Sequence, residues 1–168
     1  ERQASIDRVE QRARQMMSAL HLEEEAAERE ARQLLSAMAR ADNLRSLDAG
    51  ECNGLVKGLH ASVENFSNLG AVLANGDVFC SSLGVKSPVN VQDRQWFREV
   101  QSAPGMTRGQ FAIGRMSGEP GIIFGYPIHD AAGVFQAAAF AATNISWFDR
   151  LTARYGLPEG WTSVLFEA

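Results

Sequence analysis

The chain has 168 residues, of which 45% are hydrophobic and 21% are charged, a composition typical of a folded globular protein with one ordinary core. Its formal net charge is −4, which argues against a nucleic-acid partner, since such proteins need a basic surface to displace counterions from phosphates. The longest apolar stretch, residues 134–145, is too short to cross a bilayer.

Residues 1–46 contain neither Gly nor Pro and are rich in strong helix formers, which predicts one long N-terminal helix. Apolar residues recur along it at spacings of three and four and so form one stripe. The stripe consists of Ile6, Val9, Ala13, Met16, Met17, Leu20, Ala27, Ala31, Leu34, Leu35 and Met38. A straight helix of this length spans roughly 65 Å, so its protruding part needs a partner. Two arrangements are open: the stripe forms the seam of a homodimer, or the helix folds back on its own domain.

A second helix is predicted to begin at Asp48, because Glu51 three residues later completes a pattern resembling a capping box. Its apolar face continues to Val63, and the residues from Asn65 to Asn68 are expected to end it. Two cysteines, Cys52 and Cys80, have two interpretations at this stage: buried free thiols, or one disulfide in an oxidising compartment.

From Leu69 onward the hydrophobic period changes to that of β-strands. Asn75-Gly76 between two apolar runs predicts a hairpin that pairs Leu73 with Val78 and Ala71 with Cys80. The remaining predicted elements are a short helix (93–101), strands at 110–115, 121–128 and 134–145, a helix that begins at Asn144 or Ser146 and ends near Gly156, and a further strand at 161–166. This order predicts an α+β fold with one antiparallel sheet flanked by helices.

The sequence carries none of the common catalytic or metal-binding patterns. It has no phosphate-binding glycine loop, no nucleophile elbow and no His or Cys spacing suited to a metal. The three histidines, His21, His60 and His129, are scattered, and each is interpreted as a surface or packing residue. We therefore expect no catalytic residue, no cofactor and no metal, and we expect that the protein is not an enzyme.

Several segments resemble Cache domains, the PAS-like (PDC) sensors found on the outer side of bacterial membranes. Residues 89–98 (VNVQDRQWFR) resemble the family's D-R-x-W/Y-F helix, and residues 113–120 (IGRMSGEP) resemble its I-G-R-x-S/T-G-x-P turn. The hairpin NGDVFCSS at 75–82, GYPIHDAAG at 125–133 and NISWF at 144–148 follow the family in the same order. The resemblance covers residues from about 65 to 150, and the ordered set of segments is more specific than any one of them.

The resemblance implies a PAS-like sheet behind a stalk helix, with residues 1–46 as stalk and 47–168 as sensor domain, its C-terminus truncated. It implies the periplasmic or extracellular ligand-sensing domain of a membrane-anchored receptor, of the diguanylate cyclase, histidine kinase (two-component system) or chemoreceptor type. Such a domain signals as a dimer and binds a small molecule without turnover. In this setting a disulfide between Cys52 and Cys80 is expected. The alternative is a structural dimerisation module without a ligand.

Cache domains hold their ligand between the sheet and a short helical cover, which here implies a pocket between residues 93–97 and the strands. The expected ligand-binding residues are Arg94, Trp96, Phe97, Arg115, Phe124, Tyr126 and Asn144. Each also has a plainer interpretation: the two cover aromatics as core, the arginines as solvated surface charges, and Tyr126 as a packing residue. Amino-acid-binding members of the family carry an Asp where Asn144 stands, so a carboxylic acid or a neutral metabolite is expected instead of an amino acid, and the carboxylate is the first choice.

Overall fold

A computed structural model describes residues 1–156 of the chain, except the side chains of Trp147, Phe148 and Thr152. The predicted strand at 161–166 lies outside the described residues. The elements in chain order are α1 (Arg2–Arg40), α2 (Asp42–Arg45), α3 (Ala49–Ala61), β1 (Phe66–Leu73), β2 (Val78–Ser81), α4 (Gln95–Val100), β3 (Thr107–Ile113), β4 (Pro120–His129), β5 (Phe135–Thr143) and α5 (Ser146–Tyr155).

The five strands of the described chain form one antiparallel sheet in the order β2-β1-β5-β4-β3. The two hairpins β1–β2 and β3–β4 therefore lie at the edges, and β5 lies in the centre between β1 and β4. This arrangement confirms the predicted α+β, PAS-like fold class with its long N-terminal helix.

By their contacts the residues fall into two compact units, one of which is Glu28–Asn144. In this unit both faces of the sheet are covered. One face packs against the second part of α1 and against α3, through residues such as Leu35, Met38 and Val56. The other face packs against α4, through Trp96 and Phe97. The sheet is thus buried on both sides, and the candidate site described below lies on the α4 side.

The central strand β5 is made largely of alanine, at positions 137, 138, 139, 141 and 142. The odd-numbered alanines belong to the core on the α1 and α3 side. Ala138 and Phe140 belong to the core on the α4 side, as the alternation of side chains along a strand requires. Small side chains on both faces bring the two layers close to the backbone of this strand.

The other compact unit contains Glu1–Ala27 and, of the residues that the structure describes after Asn144, residues 145–156. Its core consists of Met16 and Leu20 of α1 with Leu151 of α5, and Ala19 and Tyr155 pack against them. Both units therefore bury part of the apolar stripe of α1 within the chain. The division into a stalk (1–46) and a sensor domain (47–168) stays a prediction.

The predicted helix over residues 1–46 is interrupted at Ala41, which has an extended backbone with φ −71° and ψ 132°. The interruption turns the short helix α2 so that Leu44 is fully buried, which stabilises the fold by roughly 2 kcal/mol. The predicted start of α3 is confirmed, because the Asp48 side chain accepts a hydrogen bond from the Glu51 N–H at 2.9 Å.

The β1–β2 hairpin forms with the predicted pair Ala71–Cys80, but Val78 pairs with Val72 and not with Leu73. A β-bulge between Ala71 and Val72 shifts the register, so the predicted two-residue loop is replaced by a longer one. Gly76 has φ +93°, and a Cβ there would lie 2.8 Å from Gln92. This turn thus needs glycine for its backbone and for the close approach of the following segment.

A disulfide joins Cys52 of α3 to Cys80 of β2, with 5.9 Å between their Cα atoms. Both cysteines are fully buried. A hydrogen bond of 3.0 Å from the Ser81 N–H to Asn53 Oδ1 lies beside it. The end of the edge strand β2 is therefore attached to α3 both covalently and by a hydrogen bond.

Candidate functional site

A cavity of about 40 Å³ lies between the sheet and its cover on the α4 side. The sheet contributes side chains of the four strands β1, β2, β4 and β5, and the cover contributes α4, the segment before it and the β3–β4 turn. The lining residues are Asn68, Val72, Val78, Val89, Val91, Trp96, Gly114, Arg115, Met116, Ser117, Ile123, Phe140 and Ala142. The cavity is mostly apolar, with a few polar groups, as is usual for small-molecule sites.

An open cleft of about 610 Å³ adjoins this cavity. Val89, Arg115, Met116 and Ser117 line both spaces and form the boundary between them. The far side of the cleft is polar, with His60, Lys86, Ser87, Glu119 and Asn144 among its residues. A ligand can therefore reach the inner cavity from solvent by passing these four boundary residues.

Trp96 is the main aromatic wall of the cavity and is only 5% exposed. Gly125 makes room for its ring, since a Cβ at that position would lie 3.0 Å from Trp96 Cε3. Among the described residues, Trp96 Nε1 and Thr107 Oγ1 are buried side-chain atoms without a hydrogen-bond partner. An unpaired buried N–H costs free energy in the absence of an acceptor, so this indole N–H is a candidate ligand-binding group.

Arg115 connects the β3–β4 turn to the segment before α4. Its guanidinium donates two hydrogen bonds to the Asp93 carboxylate, at 2.5 and 2.6 Å, and one to the Asn90 carbonyl, at 2.7 Å. Asn90 is itself bound to β2 through the bridge between Asp77 and Asn90. Arg115 therefore holds together the two parts of the cover at the boundary between cavity and cleft.

The hydrogen bond from Arg115 lowers the pKa of Asp93 from 3.8 to about 2. The same pairing raises the pKa of Arg115. Because the pKa of Asp93 is depressed, its carboxylate stays ionised at every pH well above 2 and loses its charge only as the pH falls through that value. At neutral pH an anionic ligand that binds Arg115 must compete with an ionised Asp93.

Asn68 of β1 is a buried polar residue on the sheet wall of the cavity, only 3% exposed. Its Oδ1 accepts hydrogen bonds from the hydroxyls of Ser81, at 2.7 Å, and Ser82, at 3.1 Å. Its Nδ2 donates to Met116 Sδ at 3.9 Å, a weak acceptor. The cavity thus contains an amide group whose oxygen and nitrogen have very different surroundings.

The structure brings Trp96 and Arg115 together at the inner cavity, as expected. Phe97 is fully buried in the core next to Trp96, with ring centroids 5.8 Å apart, and is not among the cavity-lining residues. Arg94 does not line the inner cavity; it lies in a groove between α4 and β3 that Trp96 and Arg115 also line, and it donates to the Ile113 carbonyl at 3.1 Å. Asn144 lies in the outer cleft. These five of the seven expected residues are thus distributed over four different surroundings.

Phe124 and Tyr126 face away from the cavity, which corrects their expected place in the pocket. Both pack on the side of the sheet covered by α1 and α3. Their neighbour Ile123 lines the cavity instead. The reason is the alternation along β4: the expectation placed the strand one residue out of phase, and a shift of one residue exchanges the two faces.

Asn68, Met116 and Ser117 line the cavity but were not expected there from the sequence. Asn68 carries a weak signal, since Asn is disfavoured in strands and stands here directly before the apolar run that begins at Leu69. From the sequence, Asn68 is expected to help end the preceding helix and not to line a cavity. Met116 and Ser117 belong to the turn that follows β3, where strand alternation gives no guidance.

Within the described residues, no group of three or more His, Cys, Asp or Glu side chains is arranged to hold a metal ion. In the same part of the chain, no helix has the length and apolar character of a membrane span.

No protein-family model matches the chain. No curated protein matches it either. Solved structures do share its fold at low sequence identity. The sensor domain of the V. cholerae histidine kinase DctB is 14% identical, with a TM-score of 0.70 over 89% of this chain and 59% of that chain.

The ligand-binding domain of Mlp24 with asparagine is also 14% identical, with a TM-score of 0.70 over 89% of this chain and 63% of that chain. The ligand-binding domain of the Campylobacter jejuni chemoreceptor Tlp3 in complex with 4-methylisoleucine is 14% identical, with a TM-score of 0.66 over 88% of this chain and 60% of that one. The chain spans about three fifths of the length of these three structures.

Proposed function

We propose that this chain, which has the PAS-like fold of Cache-type sensor domains, is the extracytoplasmic ligand-sensing domain of a membrane-anchored signalling receptor. It binds a small metabolite by non-covalent contacts and releases it unchanged. The observation that carries this proposal is the cavity between sheet and cover, with Trp96, whose buried indole N–H has no partner, among its lining residues. The solved structures of Mlp24 and Tlp3 with amino acids support small-molecule binding by this fold.

A carboxylate is the ligand class that best suits the inner cavity. The polar side chains of its lining are those of Asn68, Trp96, Arg115 and Ser117, all of which have N–H or O–H donors. No Asp or Glu is among the residues that line it. An ammonium group would find no carboxylate in the lining itself, since Asp93 lies outside it and is already paired with Arg115, whereas a carboxylate would find N–H and O–H donors. This supports a carboxylic acid in preference to an amino acid.

We expect Arg115→Ala to weaken the binding of the carboxylate by at least ten-fold, the ordinary cost of losing a charged hydrogen bond. The fold should survive, because the partner Asp93 is exposed and water can solvate it after the substitution. A thermal-shift screen of small carboxylates and amino acids would identify a ligand, and calorimetry would compare its affinity for the two proteins.

Arg94→Ala is the matched control, because Arg94 has the same charge but is not among the residues that line the inner cavity. Its affinity for the same carboxylate should equal that of the unmodified protein. If both variants bind the ligand as well as the unmodified protein, neither arginine anchors it and the carboxylate assignment is wrong.

We further propose that the receptor domain forms a homodimer through α1. In the compact unit that contains Glu1–Ala27, the side chains of Ile6, Val9 and Met17 are 44%, 37% and 48% exposed. At 100° per residue, their spacings of three and eight place all three on one face of the helix. Sedimentation equilibrium should give twice the chain mass for this protein, and Ile6→Glu combined with Met17→Glu should give a monomer. A monomer before substitution would contradict the proposal.

A further inference from the structure

The hydroxyl groups of Ser81 and Ser82 lie at the end of β2, next to the Asn68 side chain. Each hydroxyl accepts one backbone N–H: Ser81 Oγ from Leu83 at 3.1 Å, and Ser82 Oγ from Leu69 at 3.0 Å. A serine hydroxyl has one proton to donate, and both protons are directed at Asn68 Oδ1. The amide oxygen of Asn68 thus receives two hydrogen bonds.

This arrangement fixes which way the Asn68 amide is oriented. If the amide were flipped, its NH2 would face the two hydroxyls, and the Ser81 hydroxyl proton would lose its acceptor. Ser81 is fully buried, so no water could replace that acceptor. The orientation with Oδ1 toward the serines is therefore the stable one. The two N–H bonds of Nδ2 are left on the cavity side, where Nδ2 donates to the sulfur of Met116, a weak acceptor.

Asn68 and Trp96 thus provide two buried donors in the lining of the same cavity, neither with a strong acceptor. A cavity of about 40 Å³ has room for about three heavy atoms, by the size of a water-holding cavity. This is the size of one functional group and not of a whole metabolite. The remainder of a ligand would extend past Met116 and Ser117 into the outer cleft.

We infer that Asn68 is a ligand-binding residue that selects for an oxygen acceptor group, with the Ser81 and Ser82 hydroxyls as the residues that position it. The inference rests on the proposed sensing function and refines it: the ligand inserts a terminal carboxylate end-on, between Asn68 Nδ2 and Trp96 Nε1. Groups of the same size that present N–H donors, such as a primary ammonium, are rejected because they face donors.

The probes are sodium propionate and propylammonium chloride, which differ in their terminal group and are close in size. In ¹H–¹⁵N NMR spectra of the unmodified protein, propionate should shift both the Trp96 indole resonance and the Asn68 side-chain NH2 pair. Propylammonium should shift neither. The Trp96 signal is assigned by its loss in Trp96→Phe.

Asn68→Asp tests the residue directly, because a carboxylate oxygen can still accept the two serine hydroxyls while its second oxygen replaces the NH2 group. Propionate affinity should fall by roughly ten-fold to a hundred-fold, since a charged hydrogen bond becomes a repulsion. Propylammonium should now bind. Asn43→Asp is the matched control: Asn43 is exposed on α2, so the same charge is added outside the cavity and propionate affinity should be unchanged.

Three results would overturn the inference. The first is a propionate-dependent shift of Trp96 with no shift of the Asn68 NH2 pair, a measurement that needs no variant to fold. The second is equal propionate affinity of Asn68→Asp and Asn43→Asp. The third is the absence of any propionate shift at saturating concentration. In each case the sensing function itself still stands if another metabolite stabilises the protein in the thermal-shift screen.

Discussion

Replacing Cys52 and Cys80 together by alanine should lower the free energy of unfolding by about 3–4 kcal/mol. The bond closes a loop with a sequence separation of 28, and its loss returns that loop's conformational entropy to the unfolded chain. The melting temperature should fall by roughly 10 °C, at the 2–4 °C per kcal/mol usual for a chain of this size. Thermal and urea unfolding followed by circular dichroism would measure both quantities.

The single variants Cys52→Ala and Cys80→Ala separate the bond from the packing of the sulfur atoms. Each single variant already lacks the bond, so each should lose most of the stability that the double variant loses. Small losses in both single variants, or a double variant as stable as the oxidised protein, would mean that the bond does not constrain the unfolded chain.

Filling the inner cavity by Ala142→Val should weaken the binding of the metabolite. Ala142 of β5 is 7% exposed and lines the cavity. Its partners on the two neighbouring strands are Asn68 of β1 and Ile123 of β4, which line the cavity too. Valine adds two methyl groups to a space that a ligand group would otherwise occupy. Forcing the ligand in beside them should cost about 1–3 kcal/mol, so its affinity should fall roughly ten-fold to a hundred-fold. Calorimetry with the metabolite found in the screen would measure this loss.

Stability distinguishes the two functions open to this fold. The melting temperature of Ala142→Val without ligand should be unchanged or slightly higher, because the cavity becomes better packed. Ala131→Val, in the exposed turn before β5, is the matched control and should bind as the unmodified protein does. A variant that binds the metabolite with undiminished affinity would show that the cavity is not the site. A protein stabilised by no metabolite would favour the structural dimerisation module.

Much of the fold could be predicted because its signals are local. The capping pair of Asp48 and Glu51 and the glycine of the Asn75-Gly76 turn each determine their own backbone within a few residues. The order of strands and helices then leaves few topologies with short connections. The bulge between Ala71 and Val72 depends on how two strands pair, and no single segment of the sequence encodes it.

The candidate site was predicted less completely because two of its determinants are not local. The strands β4 and β5 are buried on both faces, so their hydrophobic pattern does not show which side chains face α4. For this reason the sequence places Phe124 and Tyr126 on the wrong side of the sheet. Arg115 lies in the turn after β3, and its bond to Asp93 joins residues 22 positions apart. The orientation of the Asn68 side-chain amide depends on two serines at the end of the next strand, Ser81 and Ser82.

The alanines of β5 have a mechanical consequence for how a movement passes through the sheet. An alanine side chain ends at Cβ and has no rotamer to change, so it cannot absorb a displacement as a longer side chain would. On the α4 side, Phe140 contacts Trp96 and lies near the short side chain of Ala138, so a ligand that moves the α4 cover acts on the strand through one aromatic ring and through side chains that end at Cβ. The strand in turn contacts Leu35 and Met38 of α1 through the same core cluster. Tight packing of this kind passes small movements from layer to layer with little loss.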